Sequence, residues 1–321
     1  MNIRYFRLLP LLLAVVLVCG CKNKNKVEVK FHRFDQMLFT TPTDKMAAYS
    51  DEYNSKLINF KPQDTGYMAM LTDFLSDTVV QDIYHVTDSL YHDLSDVEKQ
   101  LGAALTRAAK LCPEMKRYTR FYTLVTADYD EYAFRVFVND TDLAISLDQY
   151  ALGAMEKYGY FGMPNYILGL CTKEHIAPDC MAAIAATHTK WHKGKLTLLD
   201  CAIADGKSLY FVEKTMPKVH DSIIIRYTGD QLAWMNRNME QVWSWLIDNN
   251  LLYSTDLSQL QNLMDEAPKT NAFGDGSAPR TPSYIGWQIV RSYMKKTGAS
   301  MEELLNETDS QKILTVSGWR P

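Results

Sequence analysis

Arg120-Phe121-Tyr122-Thr123-Leu124-Val125-Thr126-Ala127 is the stretch on which the fold class turns. Its β-branched and aromatic residues interrupt a long run of helical periodicity, and two similar stretches follow, Tyr132 to Val138 and Leu143 to Leu147. Asn139-Asp140-Thr141-Asp142 between the last two has the composition of a hairpin turn. Three strands in sequence, the last two joined by a tight turn, predict a small antiparallel sheet.

Outward from that sheet the chain is helical. Before it, apolar residues recur every three or four positions over Met46 to Leu57, Tyr67 to Leu75, Val79 to Tyr91 and Ser95 to Leu111. After it, the same spacing runs over Asp179 to Lys193, Thr197 to Met216, Thr228 to Asn249, Ser258 to Met264 and Tyr284 to Lys296. Ser300-Met301-Glu302-Glu303 reads as a capping box, and Val27 to Phe31 as one further strand. The irregular piece from Ala267 to Pro282, with two glycines and two prolines towards its end, is the expected mobile loop. Arg280, Tyr284 and Asp275 cluster around it and would line a cleft, whereas Trp191, Trp234, Trp243 and Trp245 read as packing between helices. The fold class is α+β, predominantly helical, with no internal repeat. Apolar residues make up 47% of the chain, enough for a sizeable core, and residues 31–321 are expected to form a single globular domain.

The first thirty residues read differently. Arg4 and Arg7 precede an apolar run from Leu8 to Val18, and Val18-Cys19-Gly20-Cys21 follows. A membrane-spanning helix needs about 20 apolar residues, so this run is too short to span and has the layout of a signal peptide. It resembles a bacterial lipobox. Residues 1–20 would be removed, Cys21 would carry the lipid, and residues 21–30, with Lys22, Lys24, Lys26 and Lys30, would form a basic tether near anionic headgroups.

Export places the remaining cysteines, Cys112, Cys171, Cys180 and Cys201, in an oxidising compartment. Cys171 and Cys180 are close enough in sequence to close a small disulfide loop, and four free thiols are the alternative. Loss of Arg4 and Arg7 with the leader leaves 32 basic side chains against 38 acidic ones, a net charge of about −6. Nucleic acid is therefore not an expected partner.

Ala185-Ala186-Thr187-His188-Thr189-Lys190-Trp191-His192 is the constellation that suggests chemistry. Two histidines four apart on a helix project from one face and can share a metal ion. Asp205, followed by Gly206 in the next predicted helix, would supply a carboxylate, and two histidines with one carboxylate make a catalytic zinc set. A sheet followed by such a helix is also the local order of zinc peptidases, so the fold expectation is zincin-like. Thr189 stands where those enzymes need a glutamate to take the proton from metal-bound water, and a hydroxyl does not replace it near neutral pH. The expected site is a degenerate one, with zinc as the only cofactor suggested.

Phe34-Asp35-Gln36-Met37-Leu38-Phe39, the run from Leu198 to Phe211, Leu251 to Asp256, and Tyr284 to Met294 resemble the gliding-motility lipoprotein GldB family of Bacteroidetes, which is itself similar to zincin-like peptidases. The resemblance implies a lipid-anchored cell-envelope protein that faces the periplasm and works with gliding or secretion-type machinery. The peptidase-like relatives carry His-Glu-x-x-His and a later Glu-Gly, against which Thr189 and Asp205 are departures. The combined expectation is a non-catalytic component that binds an envelope protein or peptide along a sheet edge near Leu143 to Leu147. The alternative is a zinc metallopeptidase using His188, His192 and Asp205.

Overall fold

The computed structural model describes residues 26–128, 135–155 and 162–321. In chain order these form β1 (Phe31–Arg33), α1 (Phe34–Thr40), α2 (Ser50–Tyr53), α3 (Thr65–Ser76), α4 (Thr78–Tyr91), α5 (Ser95–Leu111), β2 (Arg120–Leu124), β3 (Val136–Val138) and β4 (Asp142–Ser146). The helical remainder comprises α6 (Leu152–Met155), α7 (Asn165–Leu168), α8 (Lys173–His188), α9 (Leu198–Thr215), α10 (Asp221–Ile225), α11 (Gly229–Asp248), α12 (Leu257–Met264), α13 (Thr281–Thr297), α14 (Met301–Asn306) and α15 (Ser310–Ser317). The expected signal segment, residues 1–20, and Cys21 lie outside the described residues.

Local chemistry accounts for most of the helix starts. Asp64, Asp77 and Asp256 each accept two backbone N–H groups at the heads of α3, α4 and α12. Thr197, Thr228 and Ser300 close full capping boxes with Asp200, Gln231 and Glu303. Each such cap satisfies N–H groups that the first helical turn leaves unpaired, a contribution of about 1 kcal/mol. Two expected helices are different. Met46 to Leu57 breaks into a 3₁₀ stretch, Thr43–Tyr49, followed by the single turn of α2. The helix expected over Asp179 to Lys193 begins earlier, at Lys173, because Pro178 is accommodated inside α8, and it ends at His188.

The sheet is mixed, which corrects the antiparallel expectation. Its order is β1-β2-β4-β3, with β1 parallel to β2, β2 parallel to β4, and only the β3–β4 hairpin antiparallel. β3 lies outside β4, and the turn at Asn139–Asp142 brings β4 back between β2 and β3. All five residues of β4 are consequently buried. Leu143 and Ile145 face the main core, while Ala144 faces a second cluster with Phe34, Phe60 and Tyr122. Leu143 to Leu147 is therefore not an edge, and a partner strand cannot add there. The terminal strands are β1 and β3.

The main core is organised around a close crossing of α9 and α13. Gly206 and Gly286 face each other across it, and a Cβ on Gly286 would fall within the van der Waals envelope of the Ala202 carbonyl. Trp287, fully buried beside this contact, donates its indole N–H to Glu213 at 3.0 Å, and the guanidinium of Arg291 lies 3.9 Å from its ring centroid. α15 packs on both helices of this pair, and α8 packs on α9. The loop from Ala267 to Pro282 is pinned to this body. Thr270 Oγ1 donates to the Ala278 carbonyl at 2.8 Å, Tyr227 donates to the Pro279 carbonyl at 2.7 Å, and Phe273 sits between Trp234 and Trp245.

Candidate functional site

α8 delivers His188 to the wall of a polar cavity of about 460 Å³, bordered by Glu114, Tyr118, Asn139, Asp140 and Lys190. Both ring nitrogens of His188 are engaged. Nδ1 lies 3.1 Å from the Glu114 carboxylate, and Nε2 lies 3.0 Å from the Tyr118 hydroxyl. With the carboxylate accepting from Nδ1–H, Nε2 is the acceptor for the tyrosine O–H. Burial pushes the Tyr118 hydroxyl above its ordinary pKa, so it remains a donor. Both ring nitrogens of His188 thus face protein partners within hydrogen-bond distance.

Thr189 is the C-cap of α8. It is buried, and its hydroxyl donates back to the Ala185 carbonyl at 2.9 Å, as helix-terminal threonines commonly do. The helix stops there, so His192 lies beyond it in the turn leading to α9 and does not share a helical face with His188. His192 Nε2 lies 3.0 Å from Asp200, the carboxylate of the α9 capping box, and Nδ1 lies 3.1 Å from the Lys193 carbonyl. The hydrogen bond to Asp200 raises the His192 pKa above its ordinary value.

Asp205 belongs to a third environment. Its carboxylate accepts from Ser283 Oγ at 2.6 Å and from Arg280 Nη2 at 3.2 Å, tying α9 to the head of α13. Among the described residues no group of three or more His, Cys, Asp or Glu side chains is arranged to hold a metal ion. His188, His192 and Asp205 are thus not brought together, and the donors around them do not fit a zinc ion. The physical reason is the C-cap: two histidines share a face only while the helix continues, and this one ends at the first of them.

The cysteines also part company. Cys112, Cys171, Cys180 and Cys201 are free thiols. Cys180 is in the main core, while Cys171 packs with Leu152, Met163 and Ile167 in a separate cluster. Of the residues expected around a cleft, Arg280 is committed to Asp205, Tyr284 is buried with its hydroxyl donating to Asn236 at 2.6 Å, and Asp275 is exposed and paired with Lys269.

A buried charge cluster was not anticipated. Arg226, only 8% exposed, takes a left-handed backbone conformation (φ 64°) at the end of α10. Its Nη1 donates to both Asp179 oxygens at 2.7 and 2.6 Å, and Nη2 donates to the Leu170 carbonyl at 2.8 Å. Nε lies 2.8 Å from Glu266, a charge contact without hydrogen-bond alignment, and Arg135 reaches the same carboxylate at 3.0 Å. The one sequence signal is a lone arginine directly after the apolar run Ile223-Ile224-Ile225.

The arrangement defines a helical α+β protein whose polar clusters tie elements together. No helix among the described residues is long and apolar enough to cross a membrane. The family model for gliding motility protein GldB matches residues 21–321, and the chain belongs to that family. Membership associates it with gliding motility and with the lipoproteins of the cell envelope. Comparison with curated proteins and with solved structures gives no match.

Proposed function

We propose that this chain is held on an envelope membrane by lipid on Cys21, faces the periplasm, and serves motility or secretion-type machinery by binding a protein or peptide rather than by cleaving one. The supporting observation is what His188, Thr189, His192 and Asp205 do in the fold: each spends its polar atoms on a helix end or an inter-element tie. The cavity beside His188 is the favoured place for a partner. It mixes cationic Arg117 and Lys190 with anionic Glu114, Asp140 and Glu302 on the surface next to the β3–β4 turn, which suits a polar peptide segment better than an apolar ligand.

Two measurements test the reading. Protein purified without chelator is expected to hold zinc well below one ion per chain and to show no chelator-sensitive peptide cleavage; stoichiometric zinc together with such cleavage would overturn the non-catalytic role. Cys21→Ser is expected to abolish acyl labelling and release the protein from sedimented membranes. A Cys21→Ser protein that is still labelled and still sediments would remove the anchor.

A further inference from the structure

The chain enters the folded body along α5, and the entry point is fixed by specific contacts. Val27 N–H donates to Thr106 Oγ1 at 2.9 Å, and Phe31 N–H donates to Glu98 Oε1 at 2.9 Å. Gly102 makes the seat possible: a Cβ there would meet the Val27 carbonyl oxygen at 3.0 Å, closer than most side chains tolerate. A groove of about 550 Å³ runs between this N-terminal segment and α5.

The lining of that groove departs from the charge of the whole. The chain is acidic overall, with a net charge of −4, yet the groove carries Lys26, Lys99, Arg107 and Lys110 against Glu28 and Glu98. Glu98 is already committed to the Phe31 N–H and to Lys30, whose own side chain is 81% exposed. Lys99 and Lys110 are exposed as well. Lys22 and Lys24 add to the same sign in the segment ahead.

Distance links this face to the bilayer. Cys21 precedes Lys26 by five residues, and a chain extends at most about 3.5 Å per residue, so the lipidated sulfur lies within roughly 17 Å of Lys26. That reach is a maximum, and any shorter path of the same five residues lets the groove come within one Debye length, about 8 Å at physiological salt, of the bilayer surface, where a negative potential acts on it. The geometry points to the α5 groove as a membrane-apposed face, on which Lys26, Lys30, Lys99 and Lys110 engage the anionic headgroups of the same bilayer that holds the lipid on Cys21. The inference rests on the Cys21 anchor proposed above and goes beyond it: an anchor alone fixes where the domain is held, whereas this face also gives it a fixed orientation.

The test uses the full-length acylated protein reconstituted in vesicles of phosphatidylcholine alone or of phosphatidylcholine with phosphatidylglycerol. Lysines are labelled with a water-soluble amine reagent and mapped by mass. Labelling of Lys99 and Lys110 is expected to fall several-fold when phosphatidylglycerol is present and to return in high salt. In the double variant Lys99→Gln, Lys110→Gln, sedimentation is expected to persist while Lys30 loses most of the protection that phosphatidylglycerol gives it. Equal labelling in the two vesicle types, with the protein sedimenting in both, would overturn the orientation and leave the anchor standing. Failure to sediment even with phosphatidylcholine vesicles would remove the anchor, and the orientation with it.

Discussion

Gly286→Ala is expected to cost about 3 kcal/mol or more, and at the extreme to prevent folding. The added methyl would not meet a side chain able to rotate away; it would meet the Ala202 backbone carbonyl inside α9. Overpacking of a core by a methyl group usually costs about 1–3 kcal/mol because neighbours adjust. Here the adjustment must be a separation of α9 from α13 along a contact that also buries Trp287, Ile289 and Val290, so the upper end of that range is the floor. Gly206→Ala meets the Gly286 backbone from the other side and should behave alike. Thermal unfolding followed by circular dichroism reads the effect: a loss of several degrees is expected, and a Gly286→Ala protein as stable as the parent would mean that the two helices do not approach this closely. Gly298→Ala is not an equivalent control, because its φ of 66° adds backbone strain of a different origin.

The second large effect is expected at Arg226→Ala. The substitution leaves the partly buried carboxylates of Asp179 and Glu266 without their shared partner, keeping only Tyr150 and Arg135, and because breaking a fully buried pair from one side typically costs about 3–5 kcal/mol, the lower end of that range is expected. Arg226→Lys should fall between parent and alanine variant, since an ammonium keeps the charge but cannot reach two carboxylates and the Leu170 carbonyl together. The cluster also sets an acid limit. Burial alone would raise the Glu266 carboxyl, but Arg226 and Arg135 outweigh it and hold it at about 2, against an ordinary value of 4.5. A carboxyl depressed in the folded state contributes stability that is fully present above its unfolded pKa and is lost as pH falls through the folded one. Denaturant unfolding of the parent should therefore weaken as pH drops from about 4.5 towards 2. A midpoint unchanged across that window would show that Glu266 is not held low.

How much of this was legible in advance depends on the range of the interaction. Local rules identified α3, α4, α5, α9, α11, α12 and α13 close to their observed limits, because an apolar stripe and a capping side chain act within a few residues of each other. The β3–β4 turn was legible for the same reason, as Asn139 Oδ1 accepts the N–H groups of Thr141 and Asp142 at 2.9 and 2.8 Å. Strand order was not. Leu143-Ala144-Ile145 lacks the polar alternation of an edge strand, and that unbroken apolar run was the available sign of a strand covered on both faces; its neighbours depend on a crossover that no short window encodes.

The histidine pair marks the same boundary more sharply. Spacing by itself established that His188 and His192 would share a face if the helix continued, and composition established an acidic chain with a basic N-terminal segment. Where α8 stops is a tertiary matter: the Lys190 N–H donates to the Leu305 carbonyl at 2.9 Å, and Asp200 holds His192 at the head of α9. Those two contacts turn the chain out of the helix one residue after His188. Glu114, Tyr118, Asp200 and Arg280, the partners that consume the expected ligands, lie between eight and 75 residues away in sequence. Hydrogen bonds and ion pairs at such separations exist only once the chain is packed, which is why residue spacing could propose a metal set and only the assembled structure could dissolve it.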